Sequence, residues 1–255
     1  MPGFEALTEF ANWSTDTLAE YPYSGWLISY MRPRKSTTDV VDVLPAIAIN
    51  VGSVPVGVSS AVANAGAPRL RQAKTGWSPA TITYEALPGT DADAASFAKN
   101  RVDDFITPAA GDDYIGVQAY QRFFIDENGP VPTPDGLEMT KNGWEYYPQS
   151  LGKAAAKTWE LGEHTPLVVT ENGLAADDDR QRIRYTTSAL QALHEVMEGG
   201  ADVRGYIHWS LLDNYEWGSY DPTFGLIAVN RTTFERQPKP SLNWLGSIQW
   251  EGLTI

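Results

Sequence analysis

Two segments of the chain hold residue types that could do chemistry together. In Val168-Val-Thr-Glu-Asn-Gly173 an apolar run passes straight into a carboxylate, an amide and a glycine. A carboxylate aimed into a cleft can attack the anomeric carbon of a glycoside while a second carboxyl protonates the leaving oxygen. The same Glu could instead cap a helix or face water, and spacing alone favours neither. The second segment is Gly205-Tyr-Ile-His-Trp-Ser-Leu-Leu-Asp-Asn-Tyr-Glu-Trp217. Its Trp209 and Trp217 could stack on a sugar ring while Glu216 accepts hydrogen bonds from hydroxyls. A packed aromatic core with Glu216 on a loop fits the same residues.

Positioning these groups requires strands that end at a common face. Pro166–Thr170 reads as a largely apolar strand, the pattern of a parallel sheet covered on both faces, and Val203–Ser210 as the next strand. Between them, Asp177–Asp179 opens a helix with Ile183, Leu190, Leu193 and Met197 along one side, and Gly199-Gly200 stops it. Upstream, Ser150–Leu161 reads as a helix with Ser150 as N-cap and Gly162 just past its end. Tyr114–Tyr120 reads as a strand. A helix beginning near Asp93, with Phe97, Val102, Phe105 and Ile106 as its apolar stripe, stops at Pro108. Residues 61–92 and 121–148 read as loops, the latter with turn signals at Asn128-Gly-Pro and Pro134-Asp-Gly. Val54–Ser60 reads as a short buried strand after an apolar stretch at 40–49, and residues 1–43 resist a clear reading. Strand and helix alternate through the second half, as in a parallel α/β fold. In a closed barrel of this kind the C-terminal strand ends line the active-site mouth.

The bulk numbers exclude several classes. A formal net charge of −13 over 255 residues is the wrong sign for nucleic acid or an anionic membrane surface, and is indifferent to a neutral sugar. With no cysteine there is no disulfide, no zinc–thiolate site and no thiol catalysis. His164, His194 and His208 are too scattered to suggest a metal site, so neither metal nor cofactor is expected. Nine Trp and twelve Tyr suit either sugar binding or a large aromatic core. The first residues lack a basic and an apolar region of the secretory kind, and no apolar run reaches membrane-span length. A cytoplasmic protein of one domain over 1–255 is the expectation.

Several motifs in order carry a specific resemblance. Thr170-Glu-Asn-Gly173 resembles the nucleophile signature of the glycoside hydrolase family 1 β-glucosidases. Trp209-Ser-Leu-Leu-Asp-Asn-Tyr-Glu-Trp217, Phe224-Gly-Leu226 and Arg236-Gln-Pro-Lys-Pro-Ser241 are similar to the family's C-terminal run. Gly143-Trp-Glu-Tyr-Tyr-Pro148 resembles its Gly-Trp-Glu-x-x-Pro loop, and Tyr114–Tyr120 its strand six. The resemblance covers about Asp113 to Trp250. It implies a (β/α)₈ barrel of which this chain carries the second half, and a retaining β-glucosidase-like hydrolase of small carbohydrates. Glu171 matches the nucleophile, and Tyr120 the tyrosine that orients it. Gln118 stands where the family usually has Asn. Trp209, Glu216 and Trp217 match residues that bind sugar hydroxyls, Phe224 shapes the pocket wall, and Asn172 is grouped with the sugar-binding residues. The segment Gly218–Thr223 is shorter than the family pattern and lacks its Arg before Phe-Gly-Leu.

The family's acid/base Glu lies in a Thr-x-Asn-Glu-Pro motif on strand four, and the chain contains no Asn-Glu-Pro. Trp26-Leu-Ile-Ser-Tyr-Met-Arg-Pro33 is the nearest look-alike for that strand, which puts Arg32 in place of the acid and makes Val54–Val58 strand five. Glu20 and Glu9 are substitute acids, or plain surface carboxylates. The resemblance thus leaves three readings: an active glycosidase, an inactive sugar-binding remnant or fragment, and a chain that completes a barrel with an N-terminal part or in a homo-oligomer.

Overall fold

The structure, a computed structural model, describes residues 28–30, 74 and 76–251. Four parallel strands form its centre: β2 (Gly76–Trp77), β4 (Tyr114–Gln118), β7 (Leu167–Asn172) and β8 (Val203–His208), neighbours in that order. They supply the second half of a (β/α)₈ barrel. Ile115, Val117, Leu167 and Val169 have no exposed surface, because both faces of these strands are covered and an apolar run can be buried whole.

The short strand β1 (Ile28–Tyr30) pairs with the other side of β8, but antiparallel, with Ile28 opposite His208 and Tyr30 opposite Tyr206. This corrects the match of 26–33 to strand four. A barrel strand four would run parallel and lie away from strand eight. The place beside β4 expected for Val54–Val58 is taken by β2. Val54–Val58, Arg32, Glu20 and Glu9 lie outside the described residues.

Two segments read as loops contain strands. Within 61–92, β2 is followed by β3 (Thr83–Ala86), and within 121–148 lie β5 (Arg122–Asp126) and β6 (Gly129–Val131). β3 runs parallel to β5, and β5 antiparallel to β6, in a separate small sheet. Thr-Tyr-Glu-Ala has little alternation of its own, so its strand form comes from pairing with Phe123–Ile125. Glu127-Asn128 is the turn of the β5–β6 hairpin, with Gly129 already paired to Asp126, so this stretch is not an open loop.

The helices form where the apolar pattern places them. α1 (Asp91–Ala98) continues through a wider turn at Lys99–Asp103 and short helical turns to Ala109. Val102 and Ile106 are buried, whereas Phe105 is exposed. α2 (Ser150–Leu161) has the expected bounds, but its first cap position is Gln149 and Ser150 is buried inside the helix. Gly162 follows its end, donating its N–H to the Thr158 carbonyl at 2.9 Å. α3 (Asp179–Glu198) is capped by Asp178, which accepts from the Arg180 N–H at 2.9 Å. α2 and α3 cross closely at Gly152, where an added Cβ would lie 2.8 Å from the Ala192 carbonyl oxygen. α4 (Pro240–Glu251) closes the described chain, beyond the two-stranded ribbon β9 (Ile227–Val229) and β10 (Arg236–Pro238). Among the described residues no helix is long and apolar enough to cross a membrane.

Arg182, on the buried face of α3, ties these layers together. It is 1% exposed, pairs with Asp179, and donates to the Thr223 carbonyl and, at 3.3 Å, to that of Ala176. Asp179 in turn accepts from the Ser241 N–H at 2.7 Å and hydroxyl at 2.8 Å at the start of α4. Removing one partner of such a pair strands the other charge and three chain segments. Arg182→Ala is therefore expected to cost about 3–5 kcal/mol of unfolding free energy by urea titration, and a loss under roughly 1 kcal/mol, the level of an exposed ion pair, would contradict this role.

Candidate active site

The C-terminal ends of β4, β7 and β8 bring the sequence-predicted residues together. Glu171 is the penultimate residue of β7. The register of β4 against β7 shifts between Val117 and Gln118, which sets Gln118 opposite Glu171. Gln118 Nε2 donates to Glu171 Oε1 at 3.0 Å, and the Tyr120 hydroxyl to Oε2 at 2.9 Å. Each carboxylate oxygen thus has its own donor, one at the end of the neighbouring strand and one two residues past that end. Tyr120 is fixed from behind, since its carbonyl accepts from the Tyr185 hydroxyl of α3 at 2.6 Å.

Asn172 points the other way. It is fully buried, donates Nδ2 to the Ala119 carbonyl at 2.7 Å, and accepts from the Tyr206 hydroxyl at 3.0 Å. Both ends of its amide are therefore engaged inside the protein, which departs from the expectation that it touches sugar. Behind it, His208 is buried, with Nδ1 3.2 Å from the Tyr206 hydroxyl. Burial pushes the imidazole down to about 3, helped by the Arg182 and Lys239 cations, so it is neutral at neutral pH. Gly173 has to be a glycine: a Cβ there would lie 1.8 Å from the Trp209 carbonyl oxygen.

Beyond β8 the chain turns at Trp209-Ser210, which has a cis peptide bond. Trp209 Nε1 donates to Glu216 Oε1 at 2.9 Å. Glu216 and Ser219 exchange backbone hydrogen bonds at 2.8 and 3.0 Å, making a tight loop. That loop is anchored by buried Asp213, whose Oδ1 accepts from the Gly225 N–H and from Lys239 Nζ, both at 2.8 Å. Lys239 also donates to the Gly225 carbonyl at 2.7 Å. Phe224 is completely buried, while Trp217 is 73% exposed, with φ of 42°. Trp144, from the loop before α2, completes an aromatic wall. Its ring centroid lies 5.8 Å from Tyr120, 5.4 Å from Trp217 and 6.1 Å from Phe224.

Comparison with known proteins fits this arrangement. The model of the Glycosyl hydrolase family 1 matches residues 113–252. The chain belongs to glycoside hydrolase family 1. A β-galactosidase of Saccharolobus solfataricus is 44% identical over 145 residues, which are 51% of this chain and 29% of that protein. A bifunctional β-D-glucosidase/β-D-fucosidase of Bifidobacterium breve is 38% identical over 125 residues, covering 44% of this chain and 27% of its own length. A solved β-glucosidase of Pyrococcus furiosus superposes with a TM-score of 0.65 at 30% identity, over 72% of this chain and 43% of that one. The chain thus spans less than half the length of these family members.

Within this family 1 chain the two cleft carboxylates have shifted acidities. Burial raises the pKa of Glu171; the Tyr120 hydrogen bond pulls it down, and the Glu216 charge pushes it up. Burial likewise raises that of Glu216, against hydrogen bonds from Trp209 and Asn214. Burial and the Glu171 charge hold the Tyr120 phenol well above its ordinary value, so it remains a donor. The Gly143–Pro148 motif contains Trp144 without marking it for the site, and Arg122, which holds the residue after it, lies in a stretch whose sequence reads as loop. A Trp next to a Glu in that motif was the available signal. Among the described residues no cluster of His, Cys, Asp or Glu could hold a metal ion.

The raised acidity of Glu171 has a stability consequence. An unfolded-state Glu gives up its proton at a lower pH than the folded one, so the folded state binds more protons between the two values and loses stability as pH rises through them. Glu171→Gln removes that penalty. It is expected to raise Tm at pH 7, with the gain shrinking at pH 4. A Tm lowered equally at both pH values would show that Glu171 is not a strained buried charge.

Proposed function

We propose that this chain cleaves β-glycosidic bonds with retention, with Glu171 as nucleophile. The observation that supports it is the carboxylate of Glu171, largely withdrawn from water at the mouth of a parallel sheet yet given a donor on each oxygen. In the first half-reaction Glu171 attacks the anomeric carbon, an ester forms, and the bond to the leaving oxygen breaks. In the second, water attacks the same carbon and gives up a proton to solvent, Glu171 leaves as a carboxylate, and the configuration is restored.

The other residues serve this step. Tyr120 and Gln118 orient the nucleophile. Glu216 accepts hydrogen bonds from hydroxyls of the sugar, with Trp209 fixing its carboxylate and Trp217 stacking on the ring. Phe224 backs the wall, and Asn172 holds the ends of β4, β7 and β8 in register from behind. A neutral β-glucoside or β-galactoside suits this site, and the formal charge of −13 favours neutral over anionic ligands. Proton donation to the leaving oxygen contributes about 10²–10⁴-fold. Activated leaving groups do not need it, so they test Glu171 separately from any acid.

The test is treatment with 2,4-dinitrophenyl 2-deoxy-2-fluoro-β-glucoside followed by intact-mass measurement and peptide mapping. The expected result is one fluoroglucosyl group on Glu171, absent from Glu171→Ala. Labelling should slow below the raised pKa of Glu171, where the protonated carboxyl no longer attacks. A folded chain that takes no label is an inactive remnant or fragment without this chemistry, and label on another residue overturns the assignment.

A further inference from the structure

The loop that carries Trp144 is held at its base by charged contacts that this chemistry does not use. Glu145 follows Trp144 in the chain and is only 4% exposed. Arg122, two residues past Tyr120, grips it with two parallel hydrogen bonds, Nε to Oε2 at 2.9 Å and Nη2 to Oε1 at 2.7 Å. Its third arm, Nη1, donates to Glu85 of β3 at 2.8 Å. The guanidinium also lies over the rings of Tyr147 and Phe124, at 4.0 and 4.5 Å. Only arginine has this planar fork together with a face that stacks, and a lysine ammonium cannot make the two-point contact.

The other hydrogen bonds around Trp144 lie within its own hairpin, at its tip, or on its opposite strand. On that strand Gln181 donates to Glu138 at 2.9 Å and to the Met139 carbonyl at 3.4 Å, and Arg184 donates to Glu138 at 3.1 Å. Thr140 N–H donates to the Trp144 carbonyl at 2.7 Å, the Trp144 N–H to the Thr140 hydroxyl at 3.0 Å, and the Lys141 N–H to the Ala175 carbonyl at 3.1 Å. These shape the hairpin and fix its tip. The α3 contacts hold the Glu138–Met139 strand of the hairpin, and the Arg122–Glu145 pair ties the strand that follows Trp144 to the segment that carries Tyr120. The two chain segments so joined are the ones whose rings, Tyr120 and Trp144, meet beside Glu171.

We propose that Arg122, acting through Glu145, is a positioning residue that sets the Trp144 ring in the cleft, and thereby how well the site holds an aromatic leaving group. The proposal rests on the glycosidase reading above. Trp209 and Glu216 offer polar atoms suited to a hydroxylated ring. Trp144 stands on a different loop, its ring packed against Tyr120, Trp217 and Phe224, and adds an apolar face suited to a flat apolar group.

The experiment compares kcat and KM for 2,4-dinitrophenyl β-glucoside and β-glucosyl fluoride. Both leave without a proton donor, and only the first carries an aromatic group. Arg122→Lys and, as a gentler change of the same shape, Glu145→Gln are expected to lower the ratio of the two kcat/KM values roughly tenfold, mainly through KM. On a Trp144→Ala background Arg122→Lys should change that ratio by less than about twofold, because the ring it positions is gone. An equal drop for both substrates, or an undiminished effect on the Trp144→Ala background, overturns the proposal while leaving the glycosidase reading intact. A parent chain that turns over neither substrate and takes no fluoroglucosyl label overturns both.

Discussion

Everything at the cleft depends on keeping one carboxylate out of water without neutralising it. A buried carboxylate loses most of its hydration, and the protein must return hydrogen bonds to it or it takes up a proton. Glu171 receives one donor from Gln118 at the end of β4, the strand beside its own, and the other from Tyr120 two residues past that end, an arrangement that parallel strands ending together provide. The register shift at Val117/Gln118 is part of that condition, because it is what places Gln118 across from Glu171. The barrel half therefore serves the site as a ruler: it sets two side chains of distant sequence at hydrogen-bond distance.

Behind the cleft a second layer of buried polar groups maintains this alignment. Asn172 bridges the Ala119 backbone to Tyr206, and Tyr206 meets the neutral His208. On the other side Asp213, Lys239 and Gly225 lock the loop that presents Glu216. Buried networks of this kind resist rearrangement, because losing one member leaves its partners unpaired in a low-dielectric interior. They make the relative placement of Glu171 and Glu216 a property of the core, although Glu216 itself lies on a loop.

The aromatic wall follows a different logic. Tyr120, Phe224, Trp217 and Trp144 come from four segments, and edge-on ring contacts alone allow some sliding. What fixes three of these rings is a polar tether on the backbone or a neighbour: the Tyr185 hydroxyl for Tyr120, the Asp213 cluster for Phe224, the Arg122–Glu145 pair for Trp144. Hydrophobic area gives the wall its grip, and directional bonds give it its position.

The sequence by itself determined the strands β4, β7 and β8, the helices α2 and α3, and the family, because each rests on local patterns: apolar runs, helical spacing, and short motifs such as Thr170-Glu-Asn-Gly173. It also marked Glu171, Tyr120, Gln118, Trp209, Glu216, Trp217 and Phe224 as a group. It missed β3, whose strand form comes from pairing with the distant β5 instead of its own alternation, and the β5–β6 hairpin, whose strands are short and whose Asn128-Gly-Pro signal marks a turn without marking the strands around it. It matched the segment at 26–33 to strand four, where the tertiary structure lays Ile28–Tyr30 antiparallel along β8, since a three-residue strand takes its direction from the edge it finds. Tertiary structure also decided that Asn172 faces inward, because a strand residue's side depends on register and bulges that no motif encodes. The Arg122–Glu145 grip was decided there too, since it joins residues 23 positions apart through a loop whose path is set by packing.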